Sequence, residues 1–250
     1  MPRASDSPPL LELPAEPTDR FEKRARRRGA RAVAGVDEAG RGPLAGPVVA
    51  AAVLFDRPRY PKGIDDSKRL QPAERERLYE LILGAATVSV AVASRERIDR
   101  VNILRASLWA MSRALAGLAR RPDHVLVDGN MLPPDLFCPA EAIVDGDARS
   151  VSIAAASIVA KVTRDRLMAR LGHAFPVYGF EQHKGYSTPG HFEVLRAQGP
   201  CDHHRRSFAP VRLALGLTVE DAQTPDMFAA SQDGSRAGAT EQAPPANPPV

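Results

Sequence analysis

Apolar and polar positions follow a regular pattern between about residue 20 and residue 218 of this 250-residue chain, and lose it on either side. Residues 20–31 form a basic segment whose helix would be anchored by Phe21. Residues 33–37 and 48–55 are apolar runs of strand length, joined by a Gly-Arg-Gly-Pro loop. Residues 72–83 carry proline in their first turn and predict a helix. Residues 86–93 alternate apolar and small polar side chains, the period of a strand. Ser94 would cap a helix running to about Leu118, with Ile98, Val101, Leu104, Leu108, Met111 and Leu115 at helical spacing. Short strands follow at 124–127 and 142–144, then a long helix over 154–171 and a shorter one over 188–198. Strands first, then helix and strand in alternation, predict an α/β layer with a mixed central sheet.

The flanks differ in composition. Residues 1–19 are proline-rich, and residues 219–250 are rich in Ala, Gln, Gly, Asp and Pro. Neither stretch buries enough apolar surface to offset the entropy of ordering it, so both are expected to be disordered around one domain, 20–218. The 44% hydrophobic content suffices for one sizeable core. No apolar run reaches the roughly 20 residues of a membrane span. The first residues lack the basic start and apolar middle of a secretory signal, and Cys138 and Cys201 form no CxxC pair. A cytosolic protein without disulfides is the expectation. The tail 219–250 holds five acids against Arg236, a net −4; the whole chain is +4, so the first 218 residues carry +8. A basic body suits a polyanionic partner.

The candidate chemistry lies where predicted strands end. Asp37-Glu38 closes the run Ala32-Val33-Ala34-Gly35-Val36. Adjacent carboxylates are costly to bury and repel each other unless cations neutralise them. Gly40-Arg41-Gly42 then supplies a flexible turn carrying a phosphate-seeking guanidinium. Asp128 ends the third apolar strand, and Asp145 and Asp147 follow the fourth. Acids from separate strands could converge to hold two magnesium or manganese ions, whose preference is for oxygen ligands. Spacing does not choose between Asp145 and Asp147, and Asp128-Gly129 is also an ordinary turn signal. Tyr186, in His183-Lys184-Gly185-Tyr186-Ser187-Thr188, stands in a polar loop of a chain with only four tyrosines. Its flat face and hydroxyl suit stacking on a sugar beside a 2′-OH, or simple packing. Lys68 and Lys161 are candidates for phosphate contact that also read as solvated lysines. His183, His191, Cys201, Asp202, His203 and His204 are close in sequence, but their spacing matches no standard zinc module.

Taken together, these motifs resemble the ribonuclease HII family over about residues 20–215. The resemblance rests on residues 35–48 around Asp37-Glu38-Ala39-Gly40-Arg41-Gly42, on Asp65-Asp66-Ser67-Lys68, on Val127-Asp128-Gly129 and on Gly146-Asp147. It rests equally on residues 154–165, on His183-Lys184-Gly185-Tyr186 and on His204-Arg205-Arg206-Ser207-Phe208. It implies a ribonuclease H-like fold: a central mixed β-sheet flanked by helices, with a helical C-terminal part. It implies Asp37, Glu38, Asp128 and Asp147 as catalytic metal ligands for two Mn2+ or Mg2+ ions. Gly40, Arg41, Gly42 and Tyr186, with Lys68, are implied as substrate-binding residues at the 2′-OH of an RNA–DNA junction. The expected substrates are RNA/DNA hybrids and duplex DNA containing single ribonucleotides, cut endonucleolytically by a monomer to leave 3′-hydroxyl and 5′-phosphate ends. The sister family ribonuclease HIII carries a large N-terminal substrate-binding domain, for which an acidic pair at position 37 leaves no room. Another metal-dependent nuclease of this fold, or a non-catalytic hybrid-binding protein, is the alternative.

Overall fold

Small and β-branched residues build the centre of the sheet. Strand β1 (Val33–Ala39) pairs antiparallel with β2 (Val48–Phe55), and β2 with the edge strand β3 (Ala86–Ala93). On its other side β1 pairs in parallel with β4 (His124–Asp128), which pairs in parallel with β5 (Ala140–Ile143). The order β3-β2-β1-β4-β5 is the mixed sheet that the hydrophobic pattern predicts. The computed structural model describes residues 16–217; the disorder expected for residues 1–15 and 218–250 lies outside the described residues. Thr18 already belongs to the packed body, bridging to Ser150.

Eight helices accompany the sheet among the described residues: α1 (Arg20–Arg27), α2 (Pro72–Ala85), α3 (Arg95–Val101), α4 (Ile103–Ala116), α5 (Val151–Ala174), α6 (Phe180–His183), α7 (Pro189–Gln198) and α8 (Ala209–Ala214). Strand β2 is buried along its whole length, which explains why it reads as a continuous apolar run rather than an alternation. Its Val48, Ala50, Ala52 and Leu54 pack with Ala106, Ala110 and Ala114 of α4 on one face. Its Ala51, Val53 and Phe55 pack with α2 and α5 on the other. Helices α6 to α8 form the helical C-terminal part.

Several predicted boundaries shift: α1 stops at Arg27, β1 runs on to Ala39 and α2 to Ala85. The helix expected over 94–118 is two helices, because Asn102 adopts φ 66° and its side chain caps α4 by accepting the Arg105 N–H. The fourth apolar strand is Ala140–Ile143, and Val144 is exposed. Helix α5 begins at Val151, earlier than predicted, capped by Ser150, and ends just before Phe175-Pro176. Its start is fixed by the buried Glu22 carboxylate, which accepts the Ser152 N–H at 2.9 Å and the Ser150 hydroxyl at 2.7 Å. A carboxylate at a helix N-terminus also suits the helix dipole.

One close approach positions α5, and with it the site. A Cβ on Gly35 of β1 would stand 2.2 Å from the Ser152 carbonyl carbon and 2.5 Å from the Ile153 nitrogen. Helix backbone therefore lies directly on the strand, two residues before Asp37. Gly35→Ala is expected to destabilise the fold by about 3 kcal/mol or prevent folding, because backbone rather than a flexible side chain must yield. Urea denaturation checks this; a loss under about 1 kcal/mol would contradict the close packing.

Candidate active site

The sheet register brings two of the acids together. Val36 of β1 lies level with Val127 of the parallel strand β4, so Asp37 and Asp128 follow side by side at the carboxyl ends of neighbouring strands. Asp147 comes from a 3-10 turn, Gly146–Ala148, between β5 and α5. That turn is tied to Asp128, whose Oδ1 accepts the Gly146 N–H at 2.8 Å and the Asp147 N–H at 3.3 Å. Asp147 is 5% exposed, whereas Asp145 lies on the surface in a left-handed conformation. The alternative that spacing left open is thus separated by burial. Glu38 follows Asp37, whose Oδ1 accepts the Glu38 N–H at 2.6 Å.

Burial and mutual repulsion dominate the electrostatics. Asp37 is 5% exposed, and its carboxyl is pushed well above the usual carboxylate range, first by burial and then by Asp128, Glu38 and Asp147. Burial, with Asp147 and Glu38, raises Asp128 to about 6. Burial raises Glu38 as well, against the opposing charge of Arg41. Two cations touch this cluster among the described residues. Lys68 Nζ donates to Asp147 Oδ2 at 2.6 Å, and Arg41 Nη1 donates to Glu38 Oε1 at 3.3 Å. Burial alone would lower the Lys68 ammonium, but Asp147, Asp66 and Asp37 hold it above its ordinary value. Lys68 and Arg41, read from sequence as phosphate contacts, are here the partners of acids. Among the described residues no three His, Cys, Asp or Glu side chains are already gathered into a set that could hold a metal ion. The donor chemistry nevertheless fits a hard divalent cation: carboxylate oxygens only, buried or half-buried, mutually repelling and short of positive charge.

Beside the acids lies the loop from Gly40 to Pro47. Leu44 N–H donates to Gly185 O at 2.8 Å, joining this loop to the one that carries Tyr186. A Cβ on Gly42 would stand 3.9 Å from Tyr186 Cε1, so the ring borders the Gly-Arg-Gly turn. Tyr186 is 43% exposed, and the Arg164 guanidinium lies 5.8 Å from its ring centroid. Gly40 at φ +97° and Gly46 at φ +83° occupy conformations that side chains rarely adopt.

Sequence reasoning missed two of the residues that hold this loop. Arg164 and Arg205 are 1% and 0% exposed. Arg205 stands in the basic stretch Arg205-Arg206, which suggests a surface patch; it is wholly interior, while Arg206 beside it is exposed. A signal existed for Arg164, because it continues the buried stripe of Ile153, Ser157 and Ala160 on α5 and precedes Met168. Lys161 is paired with Asp165 one turn on, at 2.7 Å.

The histidines also gather, but into a hydrogen-bonded chain. Cys201 N–H donates to His204 Nδ1 at 3.0 Å, which places the His204 proton on Nε2, 3.0 Å from His191 Nε2. The His191 proton is then on Nδ1, donated to Tyr186 O at 2.8 Å. His183 stacks on His191 with centroids 4.4 Å apart, accepts the Gly185 N–H and donates to Tyr178 O. Every ring nitrogen in this chain has one role, and a second proton on His191 or His204 would break it. Burial lowers His191, and burial together with His191 lowers His204 to about 4. Both rings therefore stay neutral while they hold the Tyr186 backbone.

A mixed five-stranded sheet with acids at the ends of its adjacent parallel strands places the protein among enzymes of the ribonuclease H-like class. The ribonuclease HII model matches residues 34–211. Ribonuclease HII of Brucella ovis is 56% identical over 211 residues, covering 84% of this chain and 96% of that protein. Ribonuclease HII of Bradyrhizobium diazoefficiens is 56% identical over 223 residues, covering 88% and 84%. The crystal structure of the ribonuclease H2 from Pyrococcus horikoshii OT3 is similar with a TM-score of 0.63 at 29% identity, covering 73% of this chain and 96% of that one. The chain belongs to the ribonuclease HII family and is an endonucleolytic ribonuclease.

The histidine chain has a thermodynamic consequence. Below pH 6.5 the unfolded chain protonates residue 204 while the folded protein, titrating near 4, does not. Stability is complete above pH 6.5 and falls as the pH drops toward 4, with His204 accounting for about 2 kcal/mol between pH 7 and pH 5. Urea denaturation of wild type and His204→Gln at both pH values measures this; equal pH slopes would contradict it.

Proposed function

We propose that this protein hydrolyses the RNA strand of RNA/DNA hybrids and incises duplex DNA at single embedded ribonucleotides, leaving 3′-hydroxyl and 5′-phosphate ends. The observation that carries the reading is the cluster of the buried Asp37 and Asp147 with the half-buried Glu38 and Asp128, next to a Gly-Arg-Gly turn that is exposed at Arg41 and Gly42 and bordered by Tyr186. These four residues would hold two Mn2+ or Mg2+ ions, which, when bound, neutralise the cluster, favour a hydroxide nucleophile and stabilise the leaving oxygen. Buried carboxylates of raised proton affinity are costly without such cations, and that cost supports the assignment.

The chain's own residues bind and orient. The acids form one wall of the site, at the carboxyl ends of β1 and β4. Arg41 and the amides of Gly40 and Gly42 would hold the nucleic-acid backbone and the ribose 2′-OH. Tyr186 would lay its ring on the sugar at the junction, with its hydroxyl near the 2′-OH, the group that distinguishes RNA from DNA. Lys68, anchored on Asp147, would contribute positive charge for the scissile phosphate. The names of the 56%-identical relatives support the activity. The acid cluster and the loop beside it support the substrate class.

Incubating the full chain with duplex DNA containing one ribonucleotide, with Mn2+ or Mg2+, tests this; a single nick at the ribonucleotide is the expected product. All-DNA duplex should stay intact, and its cleavage would overturn the requirement for ribose. Asp37→Asn should lose at least about a hundredfold in kcat, because one carboxylate charge is removed where the metals neutralise the reaction. Retention of more than a few per cent of the wild-type rate in saturating Mg2+ would exclude Asp37 as a ligand. For Tyr186→Ala the expected effect is a larger loss on a lone ribonucleotide than on a continuous hybrid. Equal losses on the two substrates would remove it from junction recognition.

A further inference from the structure

Two buried arginines without a counter-ion shape the substrate loop. Neither Arg164 nor Arg205 has a carboxylate within ion-pair distance among the described residues. Burying a guanidinium this way is costly unless its donors are satisfied. Here main-chain carbonyls satisfy them. Arg205 donates from Nε to Gly46 O at 3.0 Å, from Nη1 to Arg41 O at 2.7 Å, and from Nη2 to Gly40 O at 2.5 Å and Pro47 O at 3.3 Å. Arg164 donates from Nε to Pro47 O at 3.0 Å, from Nη2 to Ala45 O at 3.2 Å, and from Nη1 to Lys184 O at 3.0 Å. The two side chains thus share one carbonyl and tie the Gly40–Pro47 loop to the Tyr186 loop. The loop glycines are required by this arrangement, since a Cβ on Gly40 would stand 2.0 Å from Arg164 Nε.

Pulling the carbonyls inward has a directional result. The Arg41 and Gly42 N–H groups have no acceptor among the described residues, although Leu44 N–H and Gly46 N–H do. The loop therefore keeps its acceptors turned to the interior and leaves free donors at the turn beside Tyr186, with two positive charges behind it. Burial, then the charge of Arg164, lowers Arg205 to about 9, against the opposing charge of Asp99.

We infer that Arg164 and Arg205 are positioning residues that hold the Gly-Arg-Gly turn as a preformed anion-binding surface, and that a substrate phosphodiester is the counter-ion the buried pair lacks. The inference rests on the proposed function and goes beyond it, by assigning the affinity of the loop to residues that never touch substrate. A lysine keeps the charge at either position but cannot reach several carbonyls at once.

The test compares the full-length wild type with Arg164→Lys and Arg205→Lys on a short RNA/DNA hybrid in Mn2+, with folding followed by circular dichroism and melting. For the folded variants KM is expected to rise about tenfold or more while kcat stays within about threefold, the pattern of lost ground-state binding. A wild-type KM in either folded variant, or a loss confined to kcat, would overturn the inference. A second measurement does not depend on the variants folding. In full-length Asp37→Asn without divalent metal, the Arg41 and Gly42 amides should exchange freely, and become protected at hybrid concentrations shown by anisotropy to saturate binding. Protection already present in the free protein, or unaltered exchange at saturation, would overturn it. A wild type that fails to cut the hybrid would instead overturn the proposed function, so the two failures are distinct.

Discussion

Four carboxylates share a space in which Lys68 and Arg41 are the cations that touch them among the described residues, and this imbalance of charge governs the site. It is produced by ordinary strand geometry. Val36 and Val127 lie level in parallel strands, so the residues that follow must stand together. The Asp128 carboxylate then captures the turn that delivers Asp147, and burial of Asp37 and Asp147 denies them the solvation that would disperse their charge. Burial and mutual repulsion raise the proton affinity of Asp37 and Asp128, the electrostatic state on which the proposed metal site rests.

The neighbouring loop shows the opposite polarity with the same economy of means. Buried positive charge from Arg164 and Arg205 is held by carbonyl dipoles, and in the loop that supplies those carbonyls the Arg41 and Gly42 N–H groups have no acceptor among the described residues. The neutral chain from Cys201 through His204 and His191 to the Tyr186 carbonyl fixes the adjoining loop. The carboxylates proposed to hold cations therefore lie next to the loop proposed to hold a phosphate backbone. The close contact of Gly35 with Ser152 keeps both halves in register, since α5 carries Arg164 and its start follows directly on the Asp147 turn.

Much of this was legible in the sequence where a local rule decides. The buried strand β2, the proline-started α2 and the alternating β3 follow from period and turn chemistry. The acids stood out because each ended an apolar run, and the family resemblance then singled out Asp147. What stayed hidden depends on contacts distant in sequence. The break at Asn102 needed an asparagine in a left-handed conformation, which periodicity does not reveal. The burial of Arg205 depends on a loop about 160 residues earlier, and the ligand-like cluster of histidines becomes a hydrogen-bond chain only when Tyr186 O is in place. The pairing of Lys68 with Asp147 likewise joins residues 79 apart.

Direct titration of the full chain with Mn2+ near neutral pH, followed by electron paramagnetic resonance, bears most immediately on the role of the carboxylates. Saturable binding is expected, competed by Mg2+ and weakened at least about a hundredfold in Asp128→Asn, where one carboxylate charge of the cluster is gone. Absence of saturable binding in the wild type, or an Asp128→Asn protein that binds Mn2+ as tightly, would contradict it.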